Sequence, residues 1–176
     1  MDKLRVPLAA LTPDGAPVDS VVSVAGLSPQ DADAFPAESV RVRGMLLEMG
    51  SEYLFRGTIS GVIKHACDRC MEEASIPFSA EAVWVFKEAL ETKVLESEAE
   101  DAEDDGDMVV YGFEGNEIDL APCVWEELVL AMPSKFLCDE DCAGLCPQCG
   151  HNLNLGTCDC PAEEFDPRWA KLSELS

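Results

Sequence analysis

From Val40 onward, apolar and polar side chains alternate with period two. V-R-V-R-G-M-L-L-E-M shows it first, and after Gly50-Ser51 so does Y-L-F-R-G-T-I-S-G-V-I-K-H-A. Tyr53, Phe55, Ile59 and Ile63 fall on one side of the second run, with Arg56, Thr58, Ser60 and Lys64 on the other. That is the pattern of a half-buried strand. Leu54 and Val62 interrupt the polar side, so this second face is not expected to be wholly exposed. I-P-F-S-A-E-A-V-W-V-F resumes extended structure, with Phe78, Val83 and Val85 as candidate core residues. The predicted arrangement is an antiparallel meander with Cys67–Cys70 at the tip of a long hairpin. Lys3–Ala9 alternates weakly and reads as a first edge strand. The following stretch to Pro36 is rich in proline and glycine and reads as loop, with a short strand at Val21–Val24. Met108–Phe113 reads as a further short strand.

One segment changes period. Asp119 is placed to cap a helix over Leu120–Met132, with Pro122 tolerated in the first turn and Pro133 closing it. Leu120, Val124 and Leu128 form a stripe at helical spacing, joined by Cys123 or Ala131. Cys123 fits that stripe and reads as a core thiol. A last short helix is expected after Asp166-Pro167-Arg168, docking through Trp169 and Leu172. Between these elements, residues 96–107 carry no basic and no large apolar side chain, the composition of a disordered acidic loop.

Composition refines the picture. The 176 residues suffice for one compact domain and a small appendage, and 47% of them are apolar, enough for a core. The net charge of −23 pushes nucleic acid away over the molecule as a whole and makes basic proteins the easier partners. No apolar run is long enough for a signal peptide or a membrane span, so a cytoplasmic setting is expected. In that compartment thiols stay reduced, and closely paired cysteines favour metal over disulfides.

Eight of the nine cysteines form four such pairs: Cys67/Cys70, Cys138/Cys142, Cys146/Cys149 and Cys158/Cys160. Two such clips complete a closed tetrahedral S₄ shell around Zn²⁺, so the eight thiols read as ligands of two structural zinc ions, with iron–sulfur ligation or labile redox disulfides as the alternatives. Binding them would take the charge to about −27. Cys146-Pro147-Gln148-Cys149-Gly150 has the form of a zinc knuckle, Gly150 permitting the positive φ that the turn requires. With Cys158 and Cys160 it would make a local site closed within fifteen residues. Losing that site is expected to loosen only Cys146–Cys160. The remaining quartet would join Cys67 and Cys70 to Cys138 and Cys142, although spacing alone permits the other two pairings. No three-ligand set with an open position is apparent, which argues against catalytic zinc. His151 is read as a neighbour of the second site, and His65 as a strand-face residue. With only these two histidines, acid–base catalysis has little material.

Arg41, Arg43, Arg56, Lys64 and Arg69 place five basic residues in the sheet region, a candidate nucleic-acid or partner surface, with Tyr53 and Phe55 near enough to suggest base stacking.

Taken together, C-D-R-C between strands, E-G-N-E-I-D-L-A-P-C-V-W-E-E-L-V-L-A-M-P, L-C-D-E-D-C-A-G-L-C-P-Q-C-G-H-N-L-N and the closing D-P-R-W-A-K-L-S-E-L resemble the YceD family. This is the large ribosomal RNA subunit accumulation protein family of bacteria and plastids. The motifs run in order over about Gly57 to Leu175. The resemblance implies a role in accumulation or processing of large-subunit ribosomal RNA and in ribosome assembly, with no established enzymatic activity. Relatives that keep the first pair and a later Cys/His pair while lacking G-L-C-P-x-C-G imply the Cys67/Cys70/Cys138/Cys142 grouping.

The expected fold is α+β: an antiparallel sheet of about five or six strands, able to curl toward a barrel, with one main packed helix. It would span residues 1–133, followed by a cysteine-rich, zinc-held segment over 134–176. The expected function is a non-enzymatic ribosome assembly factor whose partners are precursor large-subunit RNA, a basic ribosomal protein, or both. No small-molecule substrate or membrane is implied. Two rivals are an interaction adaptor without a ribosomal role, and a redox or metal-transfer protein using Cys67-Asp68-Arg69-Cys70 as a dithiol.

Overall fold

The computed structural model describes residues 4–29, 35–88 and 110–161. The acidic run at 96–107 and the helix expected after Asp166 lie outside the described residues. The chain divides into two compact units, Met1–His65 with Ser75–Ser134, and Ala66–Ala74 with Lys135–Ser176. The hairpin tip thus groups with the C-terminal segment.

In the first unit, β1 (Arg5–Pro7) pairs with β7 (Glu117–Asp119) as a small antiparallel sheet. The main sheet has the order β2-β3-β4-β5-β6, built from β2 (Ala16–Ser23), β3 (Ser39–Met49), β4 (Glu52–Ala66), β5 (Glu73–Glu88) and β6 (Val110–Phe113). One helix, α1 (Ala121–Leu130), follows β7. The meander of β2, β3 and β4 is antiparallel as expected. Two corrections concern the sheet. β6 runs parallel to β5, with Val85 opposite Val110 and Glu88 opposite Phe113, so the sheet is mixed. It also ends at β2 and β6 without closing into a barrel. A long connection such as 89–109 is what a parallel neighbour requires, whereas a hairpin could have returned the chain only antiparallel.

β2 is also longer than expected and runs through Pro17. An edge strand tolerates proline because one side of its backbone has no ladder to complete. The β3–β4 turn is two residues long, Gly50 and Ser51, between the paired Met49 and Glu52. Gly50 at φ +72° and no positive φ at Ser51 make it a type II′ hairpin turn.

Register decides which face is buried. Val42 lies opposite Ile59 and Leu46 opposite Phe55, and all four are fully buried. From β5 the core takes Ala82, Trp84 and Phe86, while Val83, expected inside, is 42% exposed on the other face. Cys123, Val124 and Leu128 of α1 complete this core together with Ile118 and Leu120. Asp119 is the last residue of β7, and its Oδ1 accepts the Ala121 N–H at 2.9 Å, satisfying one free donor of the first turn.

Gly44 and Gly57 sit directly opposite each other on the core face, and the Phe55 ring closes over them. That ring stacks on Trp84 at 4.9 Å between centroids, 17° from parallel. A Cβ added at Gly57 would lie 2.5 Å from the Arg43 carbonyl oxygen and 2.8 Å from both the Gly44 Cα and the Phe55 ring. Gly57→Ala is thus expected to destabilise the unit by about 1–3 kcal/mol through overpacking. A lower denaturation midpoint with an unchanged slope would show it.

Candidate metal centres

The second unit is organised by two tight turns of the same form. At Cys67-Asp68-Arg69-Cys70, the Met71 N–H donates to the Cys67 carbonyl at 2.9 Å, and the Cys67 N–H to the Glu72 carbonyl at 2.8 Å. At Cys146-Pro147-Gln148-Cys149, Gly150 donates to Cys146 at 2.9 Å, and Cys146 to His151 at 2.8 Å. The residue after the second cysteine is left-handed in both turns, Met71 at φ +62° and Gly150 at φ +73°. This conformation is uncommon for a residue with a side chain, and here it folds the backbone around a sulfur.

Eight sulfurs gather into two quartets, Cys67/Cys70/Cys138/Cys142 and Cys146/Cys149/Cys158/Cys160, each with its ligand atoms within 4.8 Å of one another. In the first quartet Sγ of Cys67 is 3.8 Å from Cys142, and Sγ of Cys70 is 3.6 Å from Cys138. A tetrahedral ion with metal–sulfur bonds near 2.3 Å sets its sulfurs about 3.8 Å apart, so these spacings suit a single central ion. Disulfide sulfurs sit at about 2.05 Å. Cys67, Cys70 and Cys142 are buried, whereas Cys138 is exposed; in the second quartet Cys146 is buried and Cys149 exposed.

The middle residues of the first turn attach it to the segment after Lys135. Asp68 donates its N–H to the Phe136 carbonyl at 2.8 Å, and its Oδ2 accepts the Phe136 N–H at 2.7 Å. Arg69 Nη1 donates to the carbonyls of Glu140 at 3.1 Å and Cys142 at 2.9 Å. Arg69 therefore holds the loop that carries Cys142, a role its charge alone did not suggest. Asp68 has no signal in the sequence beyond its place inside the clip.

The thiols are electrostatically unequal. Burial raises Cys67, but backbone N–H groups of Cys138, Cys70 and Arg69 aimed at its sulfur bring it down to about 6. N–H groups of Cys149 and Gln148 bring Cys146 down to about 6. Neighbouring sulfurs, Cys142 and Cys70 foremost, push Cys138 up to about 12, and Cys149 does the same to Cys160. Cys70 is also raised: the Glu72 N–H lowers it, but burial and the sulfurs of Cys67 and Cys142 outweigh that. Four thiolates cannot share so small a volume unless a cation is among them. A metal ion entering the first quartet at pH 7 must therefore displace protons from Cys70 and Cys138. Affinity is expected to fall by about 100-fold or more per pH unit as pH drops below neutrality, at least these two protons being released per ion. The fall should steepen below the Cys67 value. Chelator competition across pH measures this slope.

The other expected site residues lie apart from the quartets. His151 is exposed, and its backbone rather than its ring meets Cys146. His65 is an exposed residue of β4. Cys123 is 2% exposed in the core of the first unit, its thiol pushed up to about 12 by burial and the nearby Glu126 carboxylate. Such a thiol is inert.

Arg41, Arg43, Arg56 and Lys64 share the outer face of the main sheet, because Arg41 lies opposite Ser60, Arg43 opposite Thr58, and Met45 opposite Arg56. Arg41 grips both oxygens of Asp19 at 2.8 Å, which holds that carboxyl below its ordinary range. Lys64 pairs with Glu38 at 3.1 Å. Among the described residues Arg43 and Arg56 make no ion pair. They border a shallow depression with Met45, Thr58, Glu81 and Val83. Arg69 belongs to the second unit and is not part of this face. Nor are the expected stacking residues: Phe55 is fully buried and Tyr53 packs on the core, both on the opposite side of β4.

Comparison with known proteins yields a family model, "Large ribosomal RNA subunit accumulation protein YceD", that matches residues 55–176. The chain is 28% identical to the uncharacterised protein YlbN of Bacillus subtilis, over 89% of this chain and 86% of that one. It is 29% identical to the chloroplastic large ribosomal RNA subunit accumulation protein YCED homolog 1 of Arabidopsis thaliana, over 68% of this chain and 43% of the plant protein. An uncharacterised protein of Mycobacterium tuberculosis is 29% identical, over 69% of this chain and 55% of its own length. The chain thus spans about half the length of the plant and mycobacterial relatives it matches. No solved structure matches it.

Proposed function

The chain belongs to the YceD family, which implies a role in accumulation of the large ribosomal RNA subunit, and from that premise we propose that it is a non-enzymatic, zinc-binding assembly factor for that subunit. The observation that carries the reading is the extent of the family match, which takes in all four cysteine clips as well as β5 and α1. Each S₄ quartet fills a tetrahedral shell and leaves no position for water or substrate, so the zinc ions have a structural task. Cys67, Cys70, Cys138 and Cys142 would hold one ion, and Cys146, Cys149, Cys158 and Cys160 the other. The use of both C-x-x-C clips in quartets also weighs against a redox dithiol at Cys67/Cys70.

The direct partner we favour is a basic ribosomal protein. The net charge of −23 attracts one and repels bare RNA. Two of the four cations on the outer sheet face are already paired, and among the described residues no aromatic ring lines the depression around Arg43 and Arg56. A second reading rests on Arg43 and Arg56, which remain able to meet phosphate of precursor RNA. No helix among the described residues is long and apolar enough to cross a membrane, and the cytoplasm is the proposed place of action.

Depletion of the protein tests the reading as a whole: large-subunit ribosomal RNA is expected to fall relative to the small subunit, and unchanged levels would refute it. Binding to precursor RNA across a salt series separates the partners. The favoured reading expects weak binding with little salt dependence. A tight complex whose affinity drops by about tenfold or more between 50 and 200 mM salt, and which Arg43→Glu with Arg56→Glu abolishes, would establish the RNA reading instead.

A further inference from the structure

Spacing alone makes the Cys146/Cys149/Cys158/Cys160 site local and independent of the other. The hydrogen bonds contradict that independence. Asn154 lies on the loop that Cys149 and Cys158 close, yet its side chain serves the first quartet. Its Oδ1 accepts the Ala143 N–H at 2.7 Å. A backbone N–H can only donate, so this contact fixes which end of the amide is oxygen. Nδ2 then faces the other way and donates to Cys142 Sγ at 3.3 Å and to Asn152 Oδ1 at 2.8 Å. Asn152 Oδ1 also accepts the Asn154 N–H at 3.0 Å, which holds the donor in place.

The backbone makes the same connection. Ala143, Gly144 and Leu145 lie between Cys142, the last ligand of the first quartet, and Cys146, the first ligand of the second. Gly144 accepts the Leu153 N–H at 2.9 Å from the loop, and Leu145 donates to the Arg69 carbonyl of the first turn at 3.1 Å. Gly144 itself, at φ +76°, would bring an added Cβ within 3.1 Å of that Arg69 oxygen. The strip is thus attached on one side to the second site's loop and on the other to the first site's turn.

We propose that Asn154 is a positioning residue that couples the two metal centres, so that filling one strengthens the other. An N–H donated to a ligating thiolate orients the sulfur, and partners of this kind are commonly worth about 10–100-fold in metal affinity. Without an ion in the second quartet, the loop must be ordered at an entropic cost before Asn154 can donate. Because the coupling is a free energy between two binding events, it acts equally in both directions. The inference rests on the reading of both quartets as zinc sites.

Zinc is titrated against a competing chelator into the wild-type chain, Asn154→Ala, Cys149→Ser and the double variant. Occupancy of the first quartet is followed by alkylation of Cys138, and of the second by alkylation of Cys160. The wild type is expected to bind two ions; a wild type without metal would remove the zinc reading itself. Asn154→Ala keeps all eight ligands and is expected to weaken the first quartet by about 10–100-fold. Cys149→Ser should weaken that same quartet by a similar factor, and the double variant should be no weaker there than the poorer single one. If the wild type binds two ions while Cys149→Ser leaves the first quartet unchanged, or the two losses multiply, the coupling is overturned and the zinc reading stands. Should Cys149→Ser unfold the lobe, Asn154→Ala decides alone, and undiminished affinity at the first quartet overturns the proposal.

Discussion

Cys70→Ser is expected to release the ion of the first quartet and to separate the two chain segments from which the second unit is built. Those segments, Ala66–Ala74 and Lys135–Ser176, lie far apart in sequence, and their shared buried cluster consists of Cys67, Cys70 and Cys142, with Leu137 packed against it. So small an apolar core contributes little. Structural zinc in small peptides is worth about 10–16 kcal/mol, comparable to or above the roughly 5–15 kcal/mol that stabilises a whole domain. The hydrogen bonds of Asp68 and Arg69 to Phe136, Glu140 and Cys142 cannot replace it, because each contributes only about 0.5–1.5 kcal/mol net. In the variant, Cys138 and Cys142 should alkylate rapidly without chelator, and the Phe136 and Asp68 amides should exchange as in an unfolded chain. The first unit, whose core contains no ligand of either quartet, should keep its secondary structure. Continued protection of Cys138 and Cys142 would show that another grouping of thiols holds the metal.

In the first unit the largest loss is expected from Phe55→Ala, about 3–5 kcal/mol. Phe55 is fully buried, stacks on Trp84, and covers the Gly44–Gly57 pair. Two glycines opposite each other have no side chains of their own to close the gap, so the surrounding structure can collapse only by moving backbone. Phe55→Leu restores part of the volume and should recover part of the loss. Denaturant midpoints of the two variants give the comparison, and a Phe55→Ala protein within about 1 kcal/mol of wild type would mean that this ring is not central to the core.

The alternation in β3 and β4 was legible because Arg41, Arg43, Arg56, Thr58, Ser60 and Lys64 mark the outer face often enough to set its phase despite Leu54 and Val62, and register then followed from the Gly50-Ser51 turn. In β5 the same reading put Val83 inside. A-V-W-V-F offers no polar residue to set the phase, and the small Ala82 and the large Trp84 share the buried side. The parallel β6 was not legible, since strand direction depends on where a long connection crosses and not on the strand's own residues. Four cysteine clips in the sequence pointed to the two quartets that could hold metal. The likeness of the two turns was hidden, because the first places Met71 where the second has Gly150, and the sequence suggests a left-handed residue only at the glycine. Arg69 was grouped with the sheet cations by charge and proximity along the chain, whereas its guanidinium is occupied by the carbonyls of Glu140 and Cys142.

The separation of 75 residues between Cys67 and Cys142 also sets an order of events during synthesis. At about 5–20 residues per second, a ribosome that has just added Cys67 needs roughly 4–15 s to reach Cys142. For that interval the Cys67/Cys70 clip is an open dithiol on the nascent chain, able to take a metal ion or an oxidant only two-handedly. The second quartet has no such delay, since its four ligands emerge within about a few seconds of one another. On the zinc reading, capture at the first quartet therefore waits for the segment that carries Cys138 and Cys142, and a translation product that stops short of Cys138 carries the Cys67 and Cys70 thiols permanently uncovered.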